Sequence, residues 1–272
     1  MGKDFRRVIC VAGVLLIAFI VMLSGCQKTE KALLSEFRGI TQGEPSAAGL
    51  SKAASFLELH VPAVSEMGAS RLVLAYEDYA LRLLGSDNEI DSQAPLDEWF
   101  LILRDQGKIA FDYQALLDAY GTYVSEELQE LLAIKCLEAS DPVTDHAEIV
   151  QSYKDIIGRA LKAEKLLKTH TNDDILRANT EQYYREYLFL LLAGSDHTPV
   201  FDYGTGQFSQ DAKSVYEDFI HAEPDTVLAD ALVEYFSYLN SVNFVIDYED
   251  AVENKIFFDT CNYITERALE KL

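Results

Sequence analysis

The most restrictive feature of the sequence is a helical spacing of apolar side chains that continues over most of residues 50–272. It is clearest in residues 175–193, where the i, i+3, i+4, i+7, i+8 positions of one helix face are apolar: Tyr184, Tyr187, Leu188, Leu191 and Leu192. Strand signals are few, and the best, residues 242–246, is short. We therefore expect an all-α protein, built as a multi-helix bundle.

Capping residues and helix breakers divide this pattern into separate helices. Gly85 is placed to end the helix over residues 71–84, and Ser125 is placed to begin the helix that carries Cys136. Asp145 and Glu148 have the spacing of a capping box, which predicts the start of a long helix that ends near His170. Hydrophobic residues make up 49% of the chain and aromatic residues 11%, which is enough to build a sizeable core.

The first 25 residues differ from the rest of the chain. Lys3, Arg6 and Arg7 form a positive segment, and the uncharged residues 8–22 follow it. A bilayer-spanning helix needs about 20 apolar residues, so this run has the length of a signal-peptide core instead. The segment therefore predicts export across a membrane.

The run ends in Leu23-Ser24-Gly25-Cys26, which resembles the lipobox of bacterial lipoprotein precursors. The resemblance implies that residues 1–25 are removed and that Cys26 carries a diacylglyceryl group, with palmitate among its acyl chains. Two acyl chains hold a protein stably on a bilayer. The expected location is the cell membrane or outer membrane, on the side facing away from the cytoplasm. The alternative is an uncleaved N-terminal anchor in which Cys26 has no role.

We expect residues 26–49 to be the lipidated cysteine and a tether, because residues 41–49 are rich in small and breaker residues. A short helix is predicted over residues 29–40. Residues 50–272 then form the helical domain. The segments that begin at Tyr76 and at Tyr184 resemble each other and both lead into a Gly-Ser-Asp loop. This similarity favours two tandem repeats, residues 50–140 and 145–272.

The charge of the chain limits its partners. The formal net charge is −22, and removal of three basic and one acidic residue with the signal makes that of the mature chain −24. Such a surface repels phosphate backbones and anionic lipid headgroups, so nucleic acid is excluded as a partner. We expect the lipid on Cys26 to provide the contact with the membrane.

Cys136 and Cys261 both lie on apolar helix faces, which favours two buried free thiols; one disulfide is the alternative.

Residues 87–98 contain the best candidate cation site. Asp87, Glu89, Asp91 and Glu98 occupy positions 1, 3, 5 and 12 of a calcium loop between two helices. However, Ser92 stands where that loop needs glycine, so an acidic solvated loop is the competing interpretation.

No catalytic residue, cofactor site or metal site is predicted. Ser195, Asp196 and His197 are adjacent and cannot align as a triad, and no two histidines have metal-ligand spacing. The tyrosines at core spacing are expected in the core, while a few are candidates for a groove that binds a peptide or glycan. We therefore favour a non-catalytic binding or interaction module of the cell envelope, with a protein or peptide partner. The alternatives are an envelope hydrolase with a dispersed active site and a calcium-binding lipoprotein.

Overall fold

The computed structural model describes residues 29–86, 90–91, 94–104, 107–169 and 173–272. The all-α prediction is confirmed, since these residues contain ten α-helices and two small two-stranded sheets. These described residues divide into two compact units: unit 1 holds those up to residue 99 and those of 103–109, and unit 2 holds residues 100–102 and those of 110–272.

Unit 1 is built on α-helices that begin at side-chain caps. The hydroxyl groups of Ser46 and Ser65 accept hydrogen bonds from the backbone N–H groups of Gly49 and Gly68, respectively. Each glycine lies three residues after its capping serine. Gly85 follows the last residue of the third helix, as predicted. The elements are α1 (Glu30–Thr41), α2 (Ala47–His60), a 3₁₀ turn (Val61–Ala63), α3 (Glu66–Leu84) and a second 3₁₀ turn (Asp97–Trp99).

The tether prediction needs a correction, because α1 is part of the folded body of unit 1. Leu33 and Phe37 of α1 are buried, and the Phe37 ring lies 5.1 Å from that of Phe56 in α2. Glu30 at the start of α1 accepts the Ser65 backbone N–H at 2.9 Å. Polar residues and glycines made residues 26–49 resemble a spacer. The apolar face of α1, which packs on α2 and α3, outweighs that composition.

Two tight contacts join the segment before α2 to α3. The Tyr79 hydroxyl accepts the Ser46 backbone N–H at 3.0 Å. A Cβ atom added at Gly49 would overlap that same hydroxyl, so the close approach of α2 and α3 requires glycine there. Residue 49 was expected in the tether, but it lies in the first turn of α2.

Unit 2 contains the remaining helices. Ser125 caps the second of them, as predicted, by accepting the Leu128 backbone N–H. A two-stranded sheet, β1 (Leu101–Leu103) and β2 (Ile109–Phe111), precedes the first. The elements that follow are α4 (Tyr113–Tyr120), α5 (Glu126–Ser140), β3 (Thr144–Asp145), β4 (Glu148–Ile149), α6 (Tyr153–Thr169), α7 (Asp174–Ala193), α8 (Gln210–Ala222), α9 (Val227–Ser241) and α10 (Ala251–Glu270).

The predicted capping box at residues 145–148 is wrong. Asp145 and Glu148 pair with each other in the β3–β4 hairpin, whose turn residues have positive φ angles. Helix α6 begins at Tyr153 instead, after Ser152, whose hydroxyl accepts the Asp155 backbone N–H at 3.2 Å. The helix therefore begins at the serine cap, which lies next to its apolar face, and not at the acidic pair farther back in the chain.

The predicted strand at residues 242–246 is also wrong. Asn243 and Phe244 have φ angles of 53° and 58°, which no strand residue adopts. Val245 alone forms a bridge, with Gln207. The β-branched side chains that suggested a strand lie in a tight turn after α9.

The core of unit 2 uses tyrosines to complete the end of α7. A helix leaves its last four carbonyl groups without helical partners. The hydroxyl groups of Tyr216 and Tyr235, both fully buried, donate to the carbonyl oxygens of Leu191 and Leu192 at 2.6 Å each. These tyrosines therefore supply both apolar area and the hydrogen bonds that the buried helix end needs.

The compact units have other boundaries than the two predicted repeats, whose similarity to each other stays a prediction. Residues 50–140 and 145–272 would place a boundary between α5 and α6, yet both helices belong to unit 2. Buried Arg159 of α6 bonds to Glu138 and Asp141 at the end of α5, which holds this connection closed. The boundary falls near residues 99–110 instead, where the chain forms a small sheet.

Candidate functional site: a cavity between three helices

Cys26, Asp87 and Glu89 lie outside the described residues. Asp91 and Glu98 are described, and both are exposed. Within the described ranges, no three His, Cys, Asp or Glu side chains are grouped so that they would hold a metal ion. None of the helices there is long and apolar enough to cross a membrane.

The two cysteines of the body are free thiols. Cys261 is fully buried and Cys136 half-buried. Burial raises the pKa of both thiols, and the nearby carboxylates of Asp112 and Asp118 raise that of Cys136 further. Because the thiolate is the reactive form of cysteine, neither residue is an activated nucleophile.

The residues of the rejected triad form hydrogen bonds with neighbouring loops. The Ser195 hydroxyl donates to the Ala147 carbonyl oxygen at 2.8 Å, and the His197 backbone N–H donates to the same oxygen at 3.0 Å. The Asp196 carbonyl accepts the Tyr203 hydroxyl. This loop is structural: it holds the β3–β4 turn.

A cavity of about 240 Å³ lies within unit 2 between α5, α6 and α7; we call it the α5–α7 cavity. The cavity is lined by four residues of α5, which have the i, i+3, i+4, i+7 spacing of one helix face, and by three residues of α6, which are spaced i, i+3, i+6. Tyr187 of α7 completes the wall. The lining residues are Glu130, Ala133, Ile134, Leu137, Arg159, Lys162, Lys165 and Tyr187.

One wall of the cavity is a buried polar network centred on Arg159, which is 6% exposed. Its Nη1 donates to Glu138 Oε1 at 2.5 Å and to the Asp141 carbonyl at 2.7 Å, and its Nη2 donates to Asp141 Oδ2 at 3.0 Å. The Tyr187 hydroxyl donates to Glu138 Oε1 at 2.7 Å. These bonds fix both side chains and neutralise the guanidinium charge.

Two further basic side chains of α6 line the cavity, three and six residues after Arg159. Lys162 and Lys165 are exposed, and no ion pair joins either to another residue of the described ranges. Glu130 is the carboxylate among the lining residues. The lining side chains alone sum to +2, from three basic residues and one acidic residue, and the Glu138 and Asp141 carboxylates bonded to Arg159 bring the sum to zero, in a chain whose formal net charge is −22.

Hydrogen bonding and burial fix the protonation state of the Tyr187 phenol at this wall. Burial raises the pKa of Tyr187, and its hydrogen bond to Glu138 raises it further, so the phenol stays protonated and acts only as a donor. Burial and the charge of Glu138 also raise the pKa of Glu186, but that side chain does not line the cavity. Fixed donors of this kind can position a polar group of a bound molecule.

A second, more open concavity of about 790 Å³ lies beside Tyr203 and Tyr248, whose ring centroids are 4.9 Å apart. Its acidic side chains serve the turn before α10: Glu253 accepts the Asp247 backbone N–H at 3.0 Å, and Asp247 accepts that of Glu249 at 2.8 Å. Since two of its three carboxylates are occupied by backbone groups, the concavity is a weaker candidate than the α5–α7 cavity.

Sequence reasoning singled out only Tyr187 among the cavity residues, and as a core residue. The remaining signal was present as three basic residues at spacings of three along one side of α6. These basic residues gave no indication of a cavity, because the apolar residues on its other side belong to α5.

No protein-family model, curated protein or solved structure matches the chain. Fold and site together define an all-α, two-unit protein with a small, charged-rim cavity in its larger unit.

Proposed function

We propose that the chain is a lipid-anchored lipoprotein of the bacterial cell envelope that faces away from the cytoplasm and acts as a non-catalytic binding module. The basic segment, the apolar run and the Leu23-Ser24-Gly25-Cys26 sequence support the anchor. The high negative charge of the body supports a position that depends on the lipid rather than on contact with anionic headgroups.

The α5–α7 cavity is the observation that carries the binding function. It combines an apolar floor with a few fixed polar groups, which is the usual composition of a small-ligand site. The sequence suggested a tyrosine-lined groove for a peptide or glycan. The proposed site instead lies within unit 2.

The anchor is tested by metabolic labelling with palmitate in bacteria that express the full chain. Cys26→Ser should abolish the label and leave either a released protein or an uncleaved precursor. Cys136→Ser is the matched control and should label normally. A Cys26→Ser protein that is still processed and still membrane-bound would show that the anchor assignment is incorrect.

Binding is tested by placing a small diazirine side chain at Ala133, in the cavity, or at Ala178, an exposed alanine of α7 outside it. Irradiation of intact cells followed by mass spectrometry should give an adduct of defined mass at position 133 only. Equal labelling at both positions, or none at position 133, would refute the proposal that the cavity is the binding site.

A further inference from the structure

The α5–α7 cavity has the size of a small amphiphile. Its volume of about 240 Å³ exceeds the roughly 150 Å³ of an engineered apolar cavity that binds benzene. By that comparison it has room for about ten non-hydrogen atoms. Ala133, Ile134 and Leu137 lie side by side on α5 and form an apolar surface for the body of such a ligand.

The charged groups of the cavity favour an anion. Lys162 and Lys165 stand three residues apart on α6 and are opposed within the lining only by Glu130. The rest of the chain is strongly acidic, so a group of side chains whose charges sum to zero repels an anion less than the general surface does. Because the charges of these groups sum to zero, a monoanion suits this site better than a dianion.

Arg159 adds directed donors. A guanidinium has five N–H groups, and the bonds to Glu138 and Asp141 use three of them: both on Nη1 and one on Nη2. The Nε–H and the second Nη2–H have no hydrogen-bond partner in the part of the chain that the structure describes. A buried side chain with two remaining charged donors at a cavity wall is suited to a carboxylate.

We infer that the α5–α7 cavity binds a small monocarboxylate, with its apolar body on Ala133, Ile134 and Leu137 and its carboxylate near Arg159 and the two lysines. This rests on the proposed binding function and assigns its ligand class.

The experiment uses the full-length protein in phosphatidylcholine nanodiscs and isothermal titration calorimetry, with empty nanodiscs as the blank. The probes are 3-phenylpropanoate, its uncharged amide and phenyl phosphate. The acid should bind at least tenfold more tightly than the amide and more tightly than the phosphate. Ala133→Trp, which fills the cavity from an exposed position, should abolish binding of the acid.

Charge dependence is tested with the double variant Lys162→Gln/Lys165→Gln. It should weaken binding of the acid about tenfold, as expected for the loss of two exposed ionic contacts, and leave the amide unchanged. Lys154→Gln removes an exposed lysine of α6 that does not line the cavity, and it should have no effect.

Several results would overturn the inference: an amide or phosphate that binds as tightly as the acid, or acid binding that survives Ala133→Trp or the double lysine change. If no probe binds but the Ala133 diazirine still captures a ligand in cells, the carboxylate assignment is wrong and the binding function stands. If both experiments fail, both proposals fail.

Discussion

Replacing Glu164 by alanine should destabilise unit 2 by about 3–4 kcal/mol. Glu164 lies on α6 and is 2% exposed. Its Oε1 and Oε2 accept the backbone N–H groups of Val227 and Leu228 at 2.9 and 2.8 Å, at the start of α9. Lys168 pairs with Oε1 at 2.7 Å, and the Tyr184 hydroxyl lies 3.5 Å from Oε2. One buried carboxylate therefore links α6, α7 and α9.

The magnitude follows from the groups that alanine would leave without an acceptor. The α9 cap cannot replace the carboxylate, because the Thr226 hydroxyl already accepts the Ala229 backbone N–H at 3.1 Å. A buried donor without a partner costs about 1–3 kcal/mol. Two such donors and the lost charge at the helix N-terminus together give a loss of about 3–4 kcal/mol, once water has hydrated part of the exposed backbone. Glu164→Gln keeps one carbonyl acceptor and should cost only about 1–2 kcal/mol.

Urea unfolding followed by circular dichroism at 222 nm measures the loss, and amide hydrogen exchange at Val227 and Leu228 localises it to the start of α9. The matched control is Glu217→Gln on α8, an exposed glutamate, which should stay within about 0.5 kcal/mol of the wild type. The reasoning fails if Glu164→Ala costs less than about 1 kcal/mol, or if exchange at the two amides does not accelerate.

Gly49→Ala should destabilise unit 1 by about 1–3 kcal/mol in urea unfolding, since its Cβ would overlap a tyrosine hydroxyl. Glu30→Gln should cost at most about 1 kcal/mol at pH 7. That cost should vanish in acid: hydrogen bonds from Ser65 hold the Glu30 pKa low, so its contribution exists above the unfolded pKa of about 4.3 and disappears as pH falls through the folded value. Cys261 should react with a disulfide reagent more slowly than half-buried Cys136, and urea should remove the difference.

Controls for these predictions lie in the same unit. Gly39→Ala in α1 meets no neighbouring atom and should stabilise unit 1 by about 0.5–1 kcal/mol; a neutral or negative effect would argue against a folded α1. Glu58→Gln changes an exposed α2 glutamate and should show no such pH dependence. Equal thiol rates in the native protein would contradict the burial difference between the two cysteines.

Local sequence determined the fold class and many helix ends. The apolar spacing over residues 175–193 identified α7, because a helix in water must bury one continuous face. Ser125 and Gly85 marked a start and an end correctly, because a side-chain cap or a glycine acts on the nearest few backbone groups. The sequence also carries the whole argument for the anchor at Cys26.

Tertiary structure decided what those local signals left open. The Asp145–Glu148 pair had a plausible helix start, but Ala147 accepts hydrogen bonds from Ser195 and His197, and the Thr198 hydroxyl accepts the Ile149 backbone N–H. These partners lie about 50 residues away in the chain, so no local pattern contains them. They hold a hairpin where a helix was predicted.

The α5–α7 cavity was decided in the same way. The apolar row on α5 looked like core, and the basic row on α6 looked like a solvated face, since each helix alone gives only the spacing of its own side chains. Arg159 forms its bonds with Glu138 and Asp141 only after the two helices pack, and Tyr187 joins them from α7. Spacing along the chain thus determined which residues share a helix face, and packing between helices determined which faces leave a space between them.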